Sequence, residues 1–168
     1  MEERKGIVTL KGNPMTLLGP ALKPGDAAPA FTVVDGGLAP VQLADFRGKT
    51  KLISVVPSLD TPICELQTKR FHQEAAKLPD NVAVLTISMD LPFAQSRFCT
   101  THGIDGIRVL SDYRDGSFGL AYGVLIKEVR LLARAIFVVG ADDRIRYVQI
   151  VPEVTTHPDY EAALAAVR

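Results

Sequence analysis

From residue 51 onward, short apolar runs alternate with stretches whose apolar residues recur at helical spacing. LISVV (52–56), VAVLTIS (82–88), AIFVV (135–139) and IRYVQIV (145–151) read as strands, with Ile107 to Leu110 a shorter one. Helical patterns run from about Pro62 to Lys77, from Leu91 to Thr101 with Gly103 as the stop, and near Phe118 to Tyr122, and HPDYEAALAAVR closes the chain as a helix. The Ala141-Asp142-Asp143 turn makes the last two strands a hairpin. Before residue 51 the pattern changes to short strands and turns. Ile7 to Leu10 and Met15 to Leu18 flank Gly12-Asn13-Pro14 as a hairpin, and Val41 to Leu43 follows Gly36-Gly37, which together predict an antiparallel cap. The pattern therefore predicts an α/β fold, a mixed sheet flanked by helices, and with no repeat or low-complexity tract residues 1–168 read as a single domain.

Charge narrows the function classes. Lysine and arginine total 19, against 19 aspartates and glutamates, and no run of like charge exceeds three residues. Neither nucleic acid nor a membrane surface is an expected partner. The first residues contain no apolar stretch of signal-peptide length, so a cytoplasmic location is expected. In such a reducing compartment the two cysteines, Cys64 and Cys99, are not expected to form a permanent structural bridge; each is either an inert core residue or a working thiol.

The surroundings of Cys64 leave both options open. Pro62 suits the first helical position and Thr61 before it is a good N-cap, so Cys64 becomes the third helical residue, beside the positive end of the helix dipole. At helical spacing it shares a face with Phe71, Ala75 and Leu78, Gln67 being the polar exception. Cys99 sits late in the second helix, at the edge of a stripe formed by Leu91, Ala94 and Phe98. Cys99 and His102 are spaced C-x2-H, yet no further ligand pair follows, and no metal or bound cofactor is expected. His72 and His157 read as solvated or capping, and Asp112, Arg114 and Asp115 as a solvated turn with an ion pair. Arg134 stands apart. It lies between Leu131-Leu132-Ala133 and Ala135-Ile136-Phe137, where an unpaired charge is costly, which argues for a function.

PSLDTPIC (57–64) resembles the P-x-x-x-T-x-x-C active-site signature of peroxiredoxins, with Pro57, Thr61 and Cys64 in its fixed places. The longer string PSLDTPICELQTKRF resembles the thiol peroxidase subfamily of atypical two-cysteine peroxiredoxins. RFCTTHGI around Cys99, LSDYRDGSFGLAYGV (110–124) and LLARA (131–135) resemble it too, in the same order. The resemblance implies a thioredoxin-like fold with an N-terminal β-hairpin extension, usually as a homodimer. It makes Cys64 the peroxidatic cysteine, Cys99 the resolving cysteine and Arg134 the active-site arginine, with Thr61 and Pro57 completing the pocket. It implies hydroperoxide substrates, an intramolecular Cys64–Cys99 disulfide, thioredoxin as reductant and a role in antioxidant defence. If Thr61 must orient peroxide it is not free to cap, and Asp60 or Ser58 would cap instead. Two cysteines on different helices need not meet disulfide geometry, so both segments are expected to unwind in part on oxidation, with Gly103 as one hinge. A general thiol-disulfide oxidoreductase is the enzymatic rival, weakened by the lack of a C-x-x-C. A redox sensor or binding protein is the rival from another class.

Overall fold

A hairpin opens the chain in the computed structural model, which describes residues 1–168. Its strands are β1 (Glu3–Leu10) and β2 (Asn13–Leu18). There follow β3 (Thr32–Val34), β4 (Pro40–Gln42), a 3-10 turn (Leu43–Phe46), β5 (Thr50–Val55), α1 (Pro62–Ala75), β6 (Val82–Ser88), α2 (Pro92–His102) and β7 (Arg108–Ser111). The remainder is α3 (Ser117–Ala121), β8 (Leu125–Ile126), β9 (Ala135–Val139), β10 (Ile145–Ile150) and α4 (Tyr160–Val167). No helix is long and apolar enough to cross a membrane.

Seven strands form the main sheet in the order β10-β9-β5-β6-β7-β3-β4. β5, β6 and β7 run parallel, and the other pairings are antiparallel, which makes the sheet mixed as expected. Every residue of β5 and β9 is buried, as strands covered on both faces require. On one face Leu52, Val84, Ile136 and Val138 pack against Phe71 of α1 and Ala163, Leu164 and Val167 of α4. On the other, Ile53, Val55, Leu85, Ile87 and Phe137 join Phe118 and Tyr122 in a larger cluster that reaches the N-terminal hairpin.

The expected antiparallel cap is only half right. β1 and β2 do form a hairpin, but β2 pairs on its other side with β8 in a separate three-stranded sheet, whereas β3 and β4 complete the edge of the main one. β3 and β8 were invisible as strands because two or three residues carry no period. The hairpin turn also differs from expectation. It is Lys11-Gly12, with φ of 51° and 81°, and Asn13 and Pro14 already belong to β2. Positive φ at both central residues is what a two-residue hairpin turn matching the strand twist demands.

Asp112 corrects the expectation of a solvated turn. It is buried, and its two carboxylate oxygens accept the N–H groups of Phe118 and Gly119 at 2.9 and 2.8 Å, anchoring α3; only Arg114 and Asp115 form the exposed ion pair. Burial pushes the Asp112 carboxyl up to about 6, with the two amides pulling the other way. The folded state thus binds a proton more tightly than the unfolded chain, where an aspartate titrates near ~3.9. The stability this group contributes is complete below about pH 4 and is lost as pH rises through about 6, by roughly 2–3 kcal/mol. Asp112→Asn, which keeps an acceptor for one amide only, should start less stable and show a flatter slope. Urea unfolding between pH 4 and 7 checks this, and equal slopes would count against it.

Candidate active site

Cys64 lies just beyond the carboxyl end of β5, where open α/β sheets bind their ligands. Val56 extends the strand by one bond, its N–H donating to the Ile87 carbonyl at 3.1 Å, and buried Pro57 follows. Thr61 is the N-cap of α1 with extended backbone (φ −131°, ψ 151°), and its side chain makes no capping bond. Its hydroxyl donates instead to the Ser58 carbonyl at 3.0 Å. The expected conflict between capping and chemistry therefore dissolves, and neither Asp60 nor Ser58 replaces it as cap. Because the hydroxyl proton is engaged, Thr61 offers lone pairs rather than a donor. The Glu65 N–H, reaching the Thr61 carbonyl at 2.9 Å, is the first bond of the helix, and Cys64 stands one residue before it. Cys64 has no exposed surface and packs with Val56, Leu59, Phe98 and Val109.

Arg134, directly before β9, is 2% exposed. Its Nε donates to the Val154 carbonyl at 2.9 Å and its Nη1 to Gln67 Oε1 at 3.0 Å. Both partners are neutral, so a full positive charge is held in the interior. Gln67, one helical turn after Cys64, is itself fixed by a 2.8 Å bond from its amide to Ser54 Oγ. The sequence distance of 67 residues between Gln67 and Arg134 is closed by one hydrogen bond. Tyr160 shares the same surroundings. Burial pushes its hydroxyl up, Arg134 and Arg70 pull it down, and Cys64 adds a small push upward.

Cys99 occupies the last turn of α2, half-buried, and burial pushes its thiol up. Its carbonyl accepts the N–H of both Gly103 and Ile104, closing the helix on Gly103, which is left-handed at φ 63°. The expected apolar stripe on α2 is overturned: Leu91 and Ala94 are exposed, and the buried side chains are Pro92 and Gln95. Gln95 fixes that rotation by donating to Ser88 Oγ at 3.0 Å and the Leu110 carbonyl at 2.7 Å. Phe98 remains packed against the Cys64 cluster. His102 pairs with Glu65 at 3.0 Å, tying the helix that carries Cys99 to the residue after Cys64. Between these elements lies a groove of about 540 Å³, lined by Asp60, Asp90, Arg97 and His102 among others. Leu59 and Phe98 belong both to its wall and to the shell of Cys64. Both thiols are free.

Residues 23–164 match the Redoxin family. The thiol peroxidase of Halalkalibacterium halodurans is 58% identical over 161 residues, covering 96% of each chain. The chain belongs to the thiol peroxidase family. A peroxiredoxin-like protein from Aquifex aeolicus superposes with a TM-score of 0.89 at 43% identity, covering 96% of each chain. A thiol peroxidase from Chromobacterium violaceum does so at 0.84 and 25% identity, covering 94% of this chain and 93% of that one. Likeness of this extent agrees with the thioredoxin-like peroxiredoxin fold expected from the motifs. Three residues that the fold places around Cys64 and its loop carried no assigned role in the sequence: Gln67, Tyr160 and Asp90. Gln67 announced itself as the polar residue on an apolar face, whereas Tyr160 and Asp90 gave no signal, since only the fold brings them near Cys64 and its loop.

Proposed function

We propose that the protein is a peroxidase that reduces hydrogen peroxide and organic hydroperoxides through Cys64, resolves through Cys99 and is recycled by thioredoxin. One observation carries most of this reading: a buried thiol at the start of a helix, with a buried guanidinium bonded to neutral partners, one of which, Gln67, lies one helical turn along from that thiol. An interior cation with no counter-ion is costly unless an anion is to form beside it.

The Cys64 thiolate attacks one oxygen of the peroxide. An S–O bond forms, the O–O bond breaks, and the leaving alkoxide or hydroxide takes a proton to become alcohol or water. Ionisation alone does not make this fast. Lowering a thiol pKa by about two units gains at most ~30-fold in thiolate while costing roughly 6- to 10-fold in nucleophilicity. Most of the rate must come from orientation and from donors aimed at the breaking bond. Arg134 suits that role because its fork never titrates. Thr61, whose proton is spent on Ser58, accepts a hydrogen bond from the peroxide O–H. Pro57, with no N–H to compete, walls the pocket.

The resulting Cys64 sulfenic acid is attacked by the Cys99 sulfur, forming the disulfide and releasing water. The thioredoxin dithiol then reduces the disulfide and is itself oxidised. The intact α1 and α2 correspond to the reduced form, and a homodimer in the cytoplasm engaged in antioxidant defence is the setting proposed. The test is continuous peroxide consumption driven by thioredoxin, with a Cys64–Cys99 linkage mapped in the oxidised protein. Amide hydrogen exchange checks the conformational step. Residues 64 to 103 should exchange faster in the disulfide form, and identical exchange in the two forms would falsify the unwinding.

A further inference from the structure

Asp90 follows β6 at the carboxyl edge of the parallel strands, and it joins the two segments that carry the cysteines. One carboxylate oxygen accepts the Ser58 hydroxyl at 2.7 Å; the other accepts the Leu59 N–H at 2.8 Å and the Ser88 hydroxyl at 2.7 Å. Ser88 Oγ in turn accepts from Gln95 of α2, and the Asp90 carbonyl accepts the Ser111 hydroxyl of β7. The turn between Pro57 and Thr61 thus hangs on one carboxylate, which is linked through Ser88 to the helix bearing Cys99. Ser58 is also the residue whose carbonyl takes the Thr61 proton.

We propose that Asp90 is a positioning residue: by gripping Ser58 and Leu59 it holds Thr61 and the first turn of α1 in the geometry that reacts with peroxide, and its release lets Cys64 travel toward Cys99. The inference rests on the peroxidase reading. It makes the two chemical steps respond in opposite directions. Oxidation needs the turn held, because small displacements of an oriented group cost rate heavily. Disulfide formation needs the turn freed, because a bridge requires Cα atoms within about 7 Å.

Asp90→Asn replaces one acceptor oxygen with an N–H2 group that cannot accept from the Leu59 amide or the hydroxyls. Ser58→Ala removes the bond to Asp90, together with the longer one that Ser58 Oγ accepts from the Asp60 N–H at 3.2 Å, and leaves the carboxylate with its Leu59 and Ser88 donors in place. Rapid-quench mass spectrometry separates Cys64 oxidation from disulfide formation. Asp90→Asn should slow the first by about 10-fold or more and accelerate the second, and Ser58→Ala should shift both the same ways by less. A general loss of stability would not produce opposite shifts. Folded Asp90→Asn with both rate constants unchanged, or with both reduced together, overturns the proposal while leaving the peroxidase reading intact. An inert Cys64 in the wild-type protein overturns both.

Discussion

Cys64→Ser is expected to abolish thioredoxin-driven peroxide consumption, by more than about 10³-fold, the scale of loss when an enzyme's nucleophile is removed. A serine hydroxyl at the same position keeps the size of the side chain and its place in the shell of Val56, Leu59 and Phe98, yet it cannot accept an oxygen atom to form a sulfenic acid. Cys99→Ser should behave differently. The first oxidation of Cys64 continues at close to the wild-type rate, but no intramolecular disulfide forms and recycling by thioredoxin is lost. Peroxide consumption coupled to reductant oxidation gives turnover, and mass spectrometry of each variant after one equivalent of peroxide gives the first step. Turnover by Cys64→Ser above about 1% of wild type would sink the mechanism. Full turnover by Cys99→Ser would leave Cys64 in place but remove Cys99 from the cycle. Unfolding curves for both variants exclude a trivial cause, since burying a hydroxyl in place of the thiol costs only about 1–3 kcal/mol.

The elements whose periods repeat were legible from sequence, and those set by distant partners were not. β5, β6, β9 and β10 announce themselves as apolar runs, and α1 by its Pro62 start. α2 was found, but its buried face was misread. Leu91 and Ala94 looked like core by spacing, whereas Gln95, polar and buried, is turned inward by Ser88 and Leu110 on neighbouring strands. Asp112 failed for the same reason: a charged residue in a turn reads as solvated unless the amides of α3 are known to lie over it. At the candidate site, Cys64, Thr61 and Pro57 could be proposed from sequence because they share one short string. Arg134 was legible because a charge inside an apolar run needs an explanation. What no local pattern supplied was the joining of Arg134 to Gln67, or of Asp90 to Ser58, because those bonds depend on strand order.

Arg134→Lys is expected to lower the rate constant for Cys64 oxidation by about 10²- to 10³-fold, comparable to removing a preorganised donor from a developing anion. The charge survives in that variant, so the loss measures geometry. Arg134 uses Nε for the Val154 carbonyl and Nη1 for Gln67, and one ammonium cannot reproduce two donors set at a fixed fork. Gln67 then separates orientation from charge. Gln67→Leu removes the acceptor for Nη1 and leaves Arg134 with one anchoring bond, so oxidation should slow by roughly 10-fold, less than in Arg134→Lys because the guanidinium persists. Gln67→Glu keeps or strengthens the anchor but places a negative charge against the guanidinium, which then has less potential to offer a departing oxyanion. If orientation alone matters, Gln67→Glu oxidises like wild type. If the uncompensated charge matters, as the neutral partners of Arg134 argue, Gln67→Glu slows by at least as much as Gln67→Leu despite its better-held arginine. Rates of Cys64 oxidation for the three variants, measured with hydrogen peroxide at one pH, decide between the two. A wild-type rate in Arg134→Lys would remove Arg134 from the chemistry altogether.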